Sequence, residues 1–249
     1  MKYLLMGASL TCLTTTAIAA EGAKKSDTPK QPWSGYTVHD TKRPHPEKVE
    51  SQGAVTTKAP ADAIILFNGT DTSAWTKNWK IKDGIMVASP GNNSTKQSFG
   101  DCQLHIEWRI PAGRKVNGQK GGNSGVFLMQ KYEIQVQESH TNVTYADGQT
   151  GAMYGQHPPL VNASTPQGEW QSYDIIFKAP RYEGETCTSP ARVTVIHNGV
   201  VIQNNQQYFG PSTHRKLPAY PKQHPEKAPL MLQWHQDPIE FRNIWLREL

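Results

Sequence analysis

The chain has 249 residues, of which 36% are hydrophobic and 19% charged, and its formal net charge is +5 at pH 7. The positive charge is dispersed rather than gathered into a basic stripe, which argues against a nucleic-acid-binding protein. Three cysteines are too few for a disulfide framework, and no segment after the N-terminus is apolar for long enough to span a bilayer.

Residues 1–19 have the pattern of a secretory signal: a lysine, a short apolar stretch and the small-residue site AIA at positions 17–19. The pattern predicts export to the periplasm or the medium. Cys12 is not preceded by a lipoprotein-type leucine, which favours a released protein. Export would permit a disulfide between Cys102 and Cys187, but the sequence does not show that they are close.

Residues 20–60 are rich in Lys, Pro, Ser and Thr and contain few apolar side chains. Such a segment cannot bury enough surface to fold alone, so it is predicted to be a linker or an arm lying on the protein surface. Within it, Trp33 and Tyr36 could dock the stretch 32–40. The composition becomes globular at residue 61, and residues 61–249 have the size of a single all-β domain.

Short runs of alternating polar and apolar residues dominate the globular part, and no stretch shows helical periodicity over three turns. The turn Asn198-Gly199 suits a two-residue hairpin. Evenly spaced strands without helices predict an antiparallel β-sandwich or barrel. The predicted strands are AIILFNG, WKIKDGIMVAS, CQLHIEWRIP, SGVFLMQ, YEIQVQES, SYDIIFKAP, ARVTVIHNGVVIQ, PLMLQWHQ and FRNIWLREL.

Three of these strands combine an apolar face with an unusual polar face. The polar face carries Glu107 and Arg109 in CQLHIEWRI, Glu133 and Gln135 in YEIQVQ, and His235 in LMLQWHQ. One interpretation is a sheet face that simply meets water. The other is a carbohydrate-binding groove, because carboxylate, amide and guanidinium groups hydrogen-bond sugar hydroxyls in fixed geometry.

Several motifs occur in the order seen in one bacterial family: ILFNGTDTSAW, FGDCQLHIEWRIP, GGNSGVFLMQKYEIQVQES, TGAMYGQHPP, GEWQSYDIIFKAP and EFRNIWLREL. Across residues 36–249 the chain resembles the 3-keto-disaccharide hydrolases, also called 3-keto-glucoside 1,2-lyases/2-hydroxy-glucal hydratases. The resemblance implies a concanavalin-like (LamG-like) jelly roll with its site on the concave face.

The resemblance also implies a reaction. A ketone at C3 of a glucoside makes the C2 proton acidic, so a base can remove it and the C1 oxygen leaves by β-elimination. Hydration of the resulting 2-hydroxy-3-keto-glucal then gives net hydrolysis. No nicotinamide cofactor is expected, since a separate glycoside 3-dehydrogenase would oxidise the substrate beforehand, and no dinucleotide fingerprint is present.

Glu107, Glu133 and His235 match family motif positions and are the candidate acid/base residues. If the two glutamates lie close together, their repulsion would raise one pKa, or a shared divalent metal would hold them. The residue before His235 is often acidic in the family but here is Trp234. Either this change weakens the assignment of His235, or Trp234 offers a stacking face for a sugar ring.

The candidate substrate-binding residues are Arg109, Asn123, Gln135, Tyr154 and Arg242. Some have a purely structural alternative. Arg109 could form a salt bridge with Glu107 and Arg242 one with Glu240, and the glycines of the GGNSG turn around Asn123 could serve only the shape of the backbone.

Two functions other than catalysis remain open. A jelly roll also serves as a non-catalytic carbohydrate-binding module. An envelope scaffold would instead use the basic arm, whereas an enzyme of this kind is expected to keep its turnover when residues 21–60 are removed.

Overall fold

The computed structural model describes residues 28–249, so the predicted signal segment, residues 1–19, lies outside the described residues. The described residues form fourteen strands and one 3₁₀ turn, Ala146–Gly148. The strands are β1 Ile64–Phe67, β2 Lys80–Lys82, β3 Ile85–Val87, β4 Asn93–Phe99, β5 Cys102–Arg109, β6 Asn123–Leu128, β7 Tyr132–Gln137, β8 Gln171–Lys178, β9 Arg181–Glu183, β10 Thr186–Ser189, β11 Arg192–His197, β12 Val200–Gln207, β13 Ala228–Leu232 and β14 Glu240–Glu248.

Two antiparallel sheets enclose one core. The larger has eight strands in the order β12-β11-β8-β5-β14-β3-β2, with β1 also pairing with β14. The smaller has four, in the order β4-β13-β6-β7, and β9 and β10 form a separate hairpin. The all-β sandwich of jelly-roll type predicted from the sequence is thereby confirmed.

Alternation along the strands decides which side chains enter the core. Leu104 and Ile106 on β5, and Tyr132 and Ile134 on β7, are completely buried between the sheets. The residues between them, including Glu133, therefore project from the opposite face of each sheet, away from the core. Because β5 and β7 belong to different sheets, their polar faces lie on opposite sides of the sandwich.

The predicted hairpin turn is also confirmed. Asn198 and Gly199 have φ values of 51° and 82°, and they join His197 to its partner Val200. Two consecutive positive φ angles are what a type I′ turn requires, and its twist matches that of the flanking strands.

The arm, residues 28–60, lies on the domain. Gln31 is fully buried and donates a hydrogen bond from Nε2 to Asp147 Oδ2 at 3.2 Å. Trp33 docks as predicted, since its ring stacks on Phe209 with 4.1 Å between centroids. Tyr36, the other predicted docking residue, is 36% exposed.

The later part of the arm crosses the larger sheet. The backbone amide of Ala54 donates to the carbonyl of Trp170 at 2.9 Å. The carbonyl of Thr57 accepts hydrogen bonds from Asn243 Nδ2 and Trp245 Nε1 at 3.1 and 3.0 Å. The arm is thus held at both of its ends rather than at a single anchor.

Cys102, buried in β5, and Cys187, in β10, are free thiols, so the disulfide left open by the sequence is not formed. Within residues 28–249, no helix is both long and apolar enough to cross a membrane.

Candidate active site

A cavity of about 420 Å³ opens on the face of the smaller sheet that points away from the core. Its floor is formed by Asn123 and Phe127 of β6 and by Glu133 and Gln135 of β7. Its walls come from loops that contribute amides, hydroxyls and imidazoles: Gln119, Tyr145, Tyr154, Ser212, Thr213, His214, Gln233 and His235.

Glu133 is the only carboxylic acid among the described residues that line this cavity. Its side chain is nearly buried, with 4% of the residue exposed, and no ion pair within residues 28–249 involves it. Burial disfavours the charged form and raises the pKa of Glu133 from 4.5 to about 8. A carboxyl with such a pKa can both take up and release a proton near neutral pH.

Gly125 makes room for this carboxyl. A Cβ atom at position 125 would lie 2.4 Å from Glu133 Oε1 and 2.7 Å from a ring carbon of Phe127. Both distances are shorter than van der Waals contact, so any larger residue would displace the carboxyl group. The last glycine of the GGNSG motif therefore serves the site, whereas Gly121 and Gly122 have φ values of 88° and 67° and shape the turn.

Amide groups surround Glu133 on the sheet. With its amide nitrogen turned towards Glu133, Gln135 donates to Oε1 at 2.8 Å and to the carbonyl of Ser124 at 3.2 Å. Asn123, on the neighbouring strand, donates from Nδ2 to the carbonyl of Gln119 at 3.0 Å. These fixed amides line the cavity with the donors and acceptors that sugar hydroxyls bind.

Two tyrosines and a histidine form a hydrogen-bonded chain in the wall. The hydroxyls of Tyr145 and Tyr154 are 2.9 Å apart, and the Tyr154 hydroxyl lies 3.1 Å from His214 Nδ1. Burial raises the pKa of Tyr145 and raises that of Tyr154 to about 12, so both phenols keep their protons at neutral pH. His214 is exposed, which connects the chain to solvent.

The arm supports this chain from behind. The ring of His39 lies 4.0 Å from that of Tyr145 and 5.0 Å from that of Tyr154, measured between centroids. Its Nδ1 lies 3.3 Å from Oδ1 of the buried Asp147, whose other oxygen accepts a hydrogen bond from the His39 backbone amide at 3.1 Å. Tyr154 was a candidate from the sequence, but sequence reasoning assigned no role to His39, Tyr145 or Asp147, because contacts between an arm and a loop leave no periodic pattern.

Glu107 does not share this site. It lies on β5 in the larger sheet, is fully buried, and accepts hydrogen bonds from Arg242 Nε at 2.7 Å and Asn243 Nδ2 at 2.8 Å. Burial alone would raise the pKa of Glu107, but the hydrogen bonds from His105, Asn243 and Arg242 outweigh it and lower the pKa to about 2. The hypothesis that repulsion between Glu107 and Glu133 raises one pKa is therefore wrong.

Arg109 and Arg242 are likewise on the larger sheet, away from the cavity. Arg109 Nε donates to Glu240 at 2.6 Å, and Arg242 pairs with Glu107. Both guanidinium groups lie over the ring of Trp170, at 4.6 and 4.1 Å from its centroid. The prediction that these arginines bind substrate beside Glu133 is wrong, because β5 and β14 present their polar faces on the other side of the sandwich.

His235, a candidate acid/base residue from the sequence, follows β13 and lines the cavity at its exposed rim. Trp234 packs against the core and is not part of the cavity lining, so it offers no stacking face there. Among residues 28–249, no group of three or more His, Cys, Asp or Glu side chains is arranged to hold a metal ion.

The comparisons with known proteins agree with this architecture. The model of the 3-keto-alpha-glucoside-1,2-lyase-like domain family matches residues 62–247. The chain belongs to this family. A search of the curated proteins gives no match.

Among solved structures, a provisionally assigned glycosyl hydrolase from Parabacteroides distasonis is 39% identical, with a TM-score of 0.76; the match covers 89% of this chain and 100% of that one. A second such protein from P. distasonis is 20% identical, with a TM-score of 0.54, covering 76% of this chain and 94% of the other. The second likeness supports the fold alone. Family membership indicates a carbohydrate-active protein of the glycosyl hydrolase or lyase kind.

Proposed function

We propose that this protein cleaves 3-keto-glycosides by β-elimination across C1 and C2 followed by hydration, so that the net result is hydrolysis. The observation that carries the proposal is the buried carboxyl of Glu133, without a basic partner among the described residues, on the floor of a cavity lined by amides and phenols. Burying such a group costs stability, and a binding module would gain nothing from it.

Glu133 is the base in this mechanism. Its ionised form takes the C2 proton, and the C–H electron pair moves into an enolate that involves C2, C3 and the ketone oxygen. A base with a pKa of about 8 suits this step, because it is strong enough to accept a weakly acidic C–H proton and is still substantially ionised in mildly alkaline solution.

The phenols stabilise the enolate. If His214 Nδ1 donates to Tyr154 and Tyr154 donates to Tyr145, the hydrogen of the Tyr145 hydroxyl is free to bind the ketone oxygen. Pre-positioned donors of this type act where negative charge develops, and each contributes a large factor to the rate. Asn123, Gln135 and Gln233 supply hydrogen bonds for the sugar hydroxyls.

The C1–O bond then breaks as the enolate electrons form a double bond between C1 and C2, and the departing oxygen takes a proton. His235, at the exposed rim, is the proposed donor of that proton. In the second stage, water adds to C1 of the 2-hydroxy-3-keto-glucal and its surplus proton passes to His235, which has given its own to the departing oxygen. Glu133, whose acid proton exchanges with solvent, then delivers a proton to C2.

Two wider proposals accompany this chemistry. The substrate must first be oxidised at C3, so a glycoside 3-dehydrogenase acts upstream as a pathway partner. Export to the periplasm or the medium rests on the signal-like pattern of residues 1–19.

The proposal is tested by incubating the purified protein in deuterated buffer with a chromogenic 3-keto-glucoside and with its unoxidised parent, in both anomeric forms. We expect aglycone release from a keto compound alone, with deuterium at C2 of the recovered sugar. Binding of the keto compounds without release or exchange would instead support the second candidate function, a carbohydrate-binding module.

A further inference from the structure

A second cavity, of about 620 Å³, adjoins the Glu133 cavity, and His235 lines both. We call it the basic cavity, because its lining includes three cationic residues and one acidic residue. The charged residues of the basic cavity are Arg114, Lys115, Lys120 and Asp237. By contrast, neither lysine nor arginine lines the Glu133 cavity.

The single acid of the basic cavity is already neutralised. Asp237 is 4% exposed, and its Oδ1 accepts a hydrogen bond from Arg114 Nη2 at 2.9 Å. Its Oδ2 accepts one from the backbone amide of Asn123 at 3.2 Å. Lys115 and Lys120 are exposed, and no ion pair within residues 28–249 involves either of them. The basic cavity therefore keeps two uncompensated positive charges at neutral pH.

The loop that carries these lysines has a fixed shape. Asn117 and Lys120 exchange two backbone hydrogen bonds, of 2.7 and 3.0 Å. A Cβ atom at Gly121 would lie 2.2 Å from the carbonyl oxygen of Lys115. The two sides of the loop are therefore so close that only glycine fits at position 121. The side chain of Gln119, between the lysines, reaches the carbonyl of Gly148 at 2.9 Å.

One loop thus serves both cavities, with Gln119 lining the first and Lys115 and Lys120 lining the second. In the mechanism proposed above, a sugar occupies the first cavity with its C2 proton towards Glu133 and its C1 oxygen towards His235. Its C1 substituent would then extend past His235, which lines both cavities, into the second.

We infer that the basic cavity is the leaving-group subsite and that it selects 3-keto-glycosides whose leaving group carries an anionic substituent. The inference rests on the proposed function. Fixed cations at a cleft raise the local concentration of anions and bind them directly. His235, at the junction of the two cavities, lies where the departing oxygen passes from one to the other.

The test compares 4-carboxyphenyl with 4-carbamoylphenyl 3-keto-glucosides, which have the same shape and differ in charge. We expect the wild-type protein to show a KM about 3- to 10-fold lower for the carboxylate, the size expected for one or two exposed charge pairs. Raising the salt concentration from about 0.05 M to about 0.5 M should remove most of this difference. The amide is the better leaving group chemically, so such a preference arises from binding.

Two double variants assign the effect to its source. Lys115→Gln with Lys120→Gln should equalise the two KM values. The matched control, Lys82→Gln with Lys178→Gln, removes the same charge from exposed positions on the larger sheet and should leave the preference intact. Equal KM values in the wild-type protein, or a preference that survives the loss of Lys115 and Lys120, would overturn the inference while leaving the elimination chemistry intact.

A binding measurement keeps the two proposals separable. If neither glucoside is turned over, the proposed function fails, but the subsite can still be probed by titrating the protein with 4-hydroxybenzoate and 4-hydroxybenzamide. Binding of the benzoate that depends on Lys115 and Lys120 would support the subsite. Equal binding of both compounds, or of neither, would refute it.

Discussion

Glu107 and Glu133 lie on different sheets of the sandwich, and their carboxyl groups project from opposite outer faces. Glu107 is held as a carboxylate by Arg242 and Asn243, whereas Glu133 has no cationic partner among the described residues. The two environments move their pKa values in opposite directions, to about 2 and about 8. Glu107 is therefore suited to a structural role and Glu133 to proton transfer.

The pH dependence of activity should report Glu133. Because the free enzyme must have Glu133 ionised, and an aryl leaving group departs without a proton from His235, kcat/KM for an aryl 3-keto-glucoside is expected to rise with pH and to level off above about 8. A pH–rate profile with a keto-glucoside checks this. A profile that is already flat between about pH 5 and about pH 8 would contradict the assignment.

The free energy of unfolding should also depend on Glu133, but it should fall as pH rises, whereas activity increases. The unfolded chain loses the Glu133 proton near its ordinary pKa of 4.5, whereas the folded protein keeps it up to about pH 8. Folding is therefore penalised increasingly as pH rises between these values, by up to about 1.4 kcal/mol per unit. Glu133→Gln should raise the Tm relative to wild type, more at about pH 8 than at about pH 5; a pH-independent difference would argue against the raised pKa.

Gly125→Ala tests the space around the base. The added methyl would collide with Glu133 Oε1 and the Phe127 ring, so the carboxyl must move. We expect kcat to fall by about 10²-fold, the cost of misplacing a catalytic group, with a smaller effect on substrate binding. Gly100→Ala is the matched control, because Gly100, like Gly125, has no positive φ, its added methyl would approach only the Glu226 carbonyl oxygen (3.1 Å) and Lys227, and it does not line the cavity. Wild-type kcat in Gly125→Ala would show that the carboxyl position is not critical.

Tyr145→Phe removes the hydroxyl proposed to bind the ketone oxygen. We expect a fall in kcat of about 10²- to 10³-fold with little change in Tm, as for other single donors at a developing oxyanion. Tyr182→Phe is the control, because the Tyr182 hydroxyl is exposed and bonds the Pro221 carbonyl far from the cavity. Equal kinetics in the two variants would remove the phenol from the mechanism.

The arm should be needed for full activity, contrary to the expectation from sequence that turnover survives its removal. His39→Ala leaves a gap behind the Tyr145 and Tyr154 rings and is expected to lower kcat by about 10-fold. Ser51→Ala, which removes an arm hydrogen bond to the Ala163 carbonyl and a longer one from Asn198 Nδ2, both outside the cavity, should leave kcat unchanged. Kinetics and thermal unfolding of both variants check this. Unchanged kcat in His39→Ala would show that the arm is only a structural cover.

The alternating strands explain how much of this site could be predicted. Alternation correctly placed Glu133 and Gln135 on an outward face, because side chains on a strand alternate whatever its neighbours are. It could not tell that β5 and β7 belong to different sheets, since pairing depends on partners distant in sequence. The pattern therefore merged the polar faces of Glu107 and Glu133 into a single groove.

The missed elements have local causes. Strand β4, NSTKQSF, was not predicted because its buried side chains include the polar Asn93 and Thr95. Asn93 satisfies its amide on the backbone of Lys77, at 2.8 and 3.0 Å, a contact that no periodicity reveals. Tyr145 and His214 reach the cavity from loops, where chain path rather than pattern decides position.

The most direct measurement is deuterium incorporation at C2 of a 3-keto-glucoside, compared between wild type, Glu133→Gln and Glu107→Gln. Wild type should exchange and cleave, and Glu133→Gln should lose about 10²- to 10⁴-fold in both while remaining folded. Glu107→Gln should lose stability but keep exchange in its folded fraction, because its partners are structural. Exchange that survives in Glu133→Gln and disappears in folded Glu107→Gln would place the base on the other sheet.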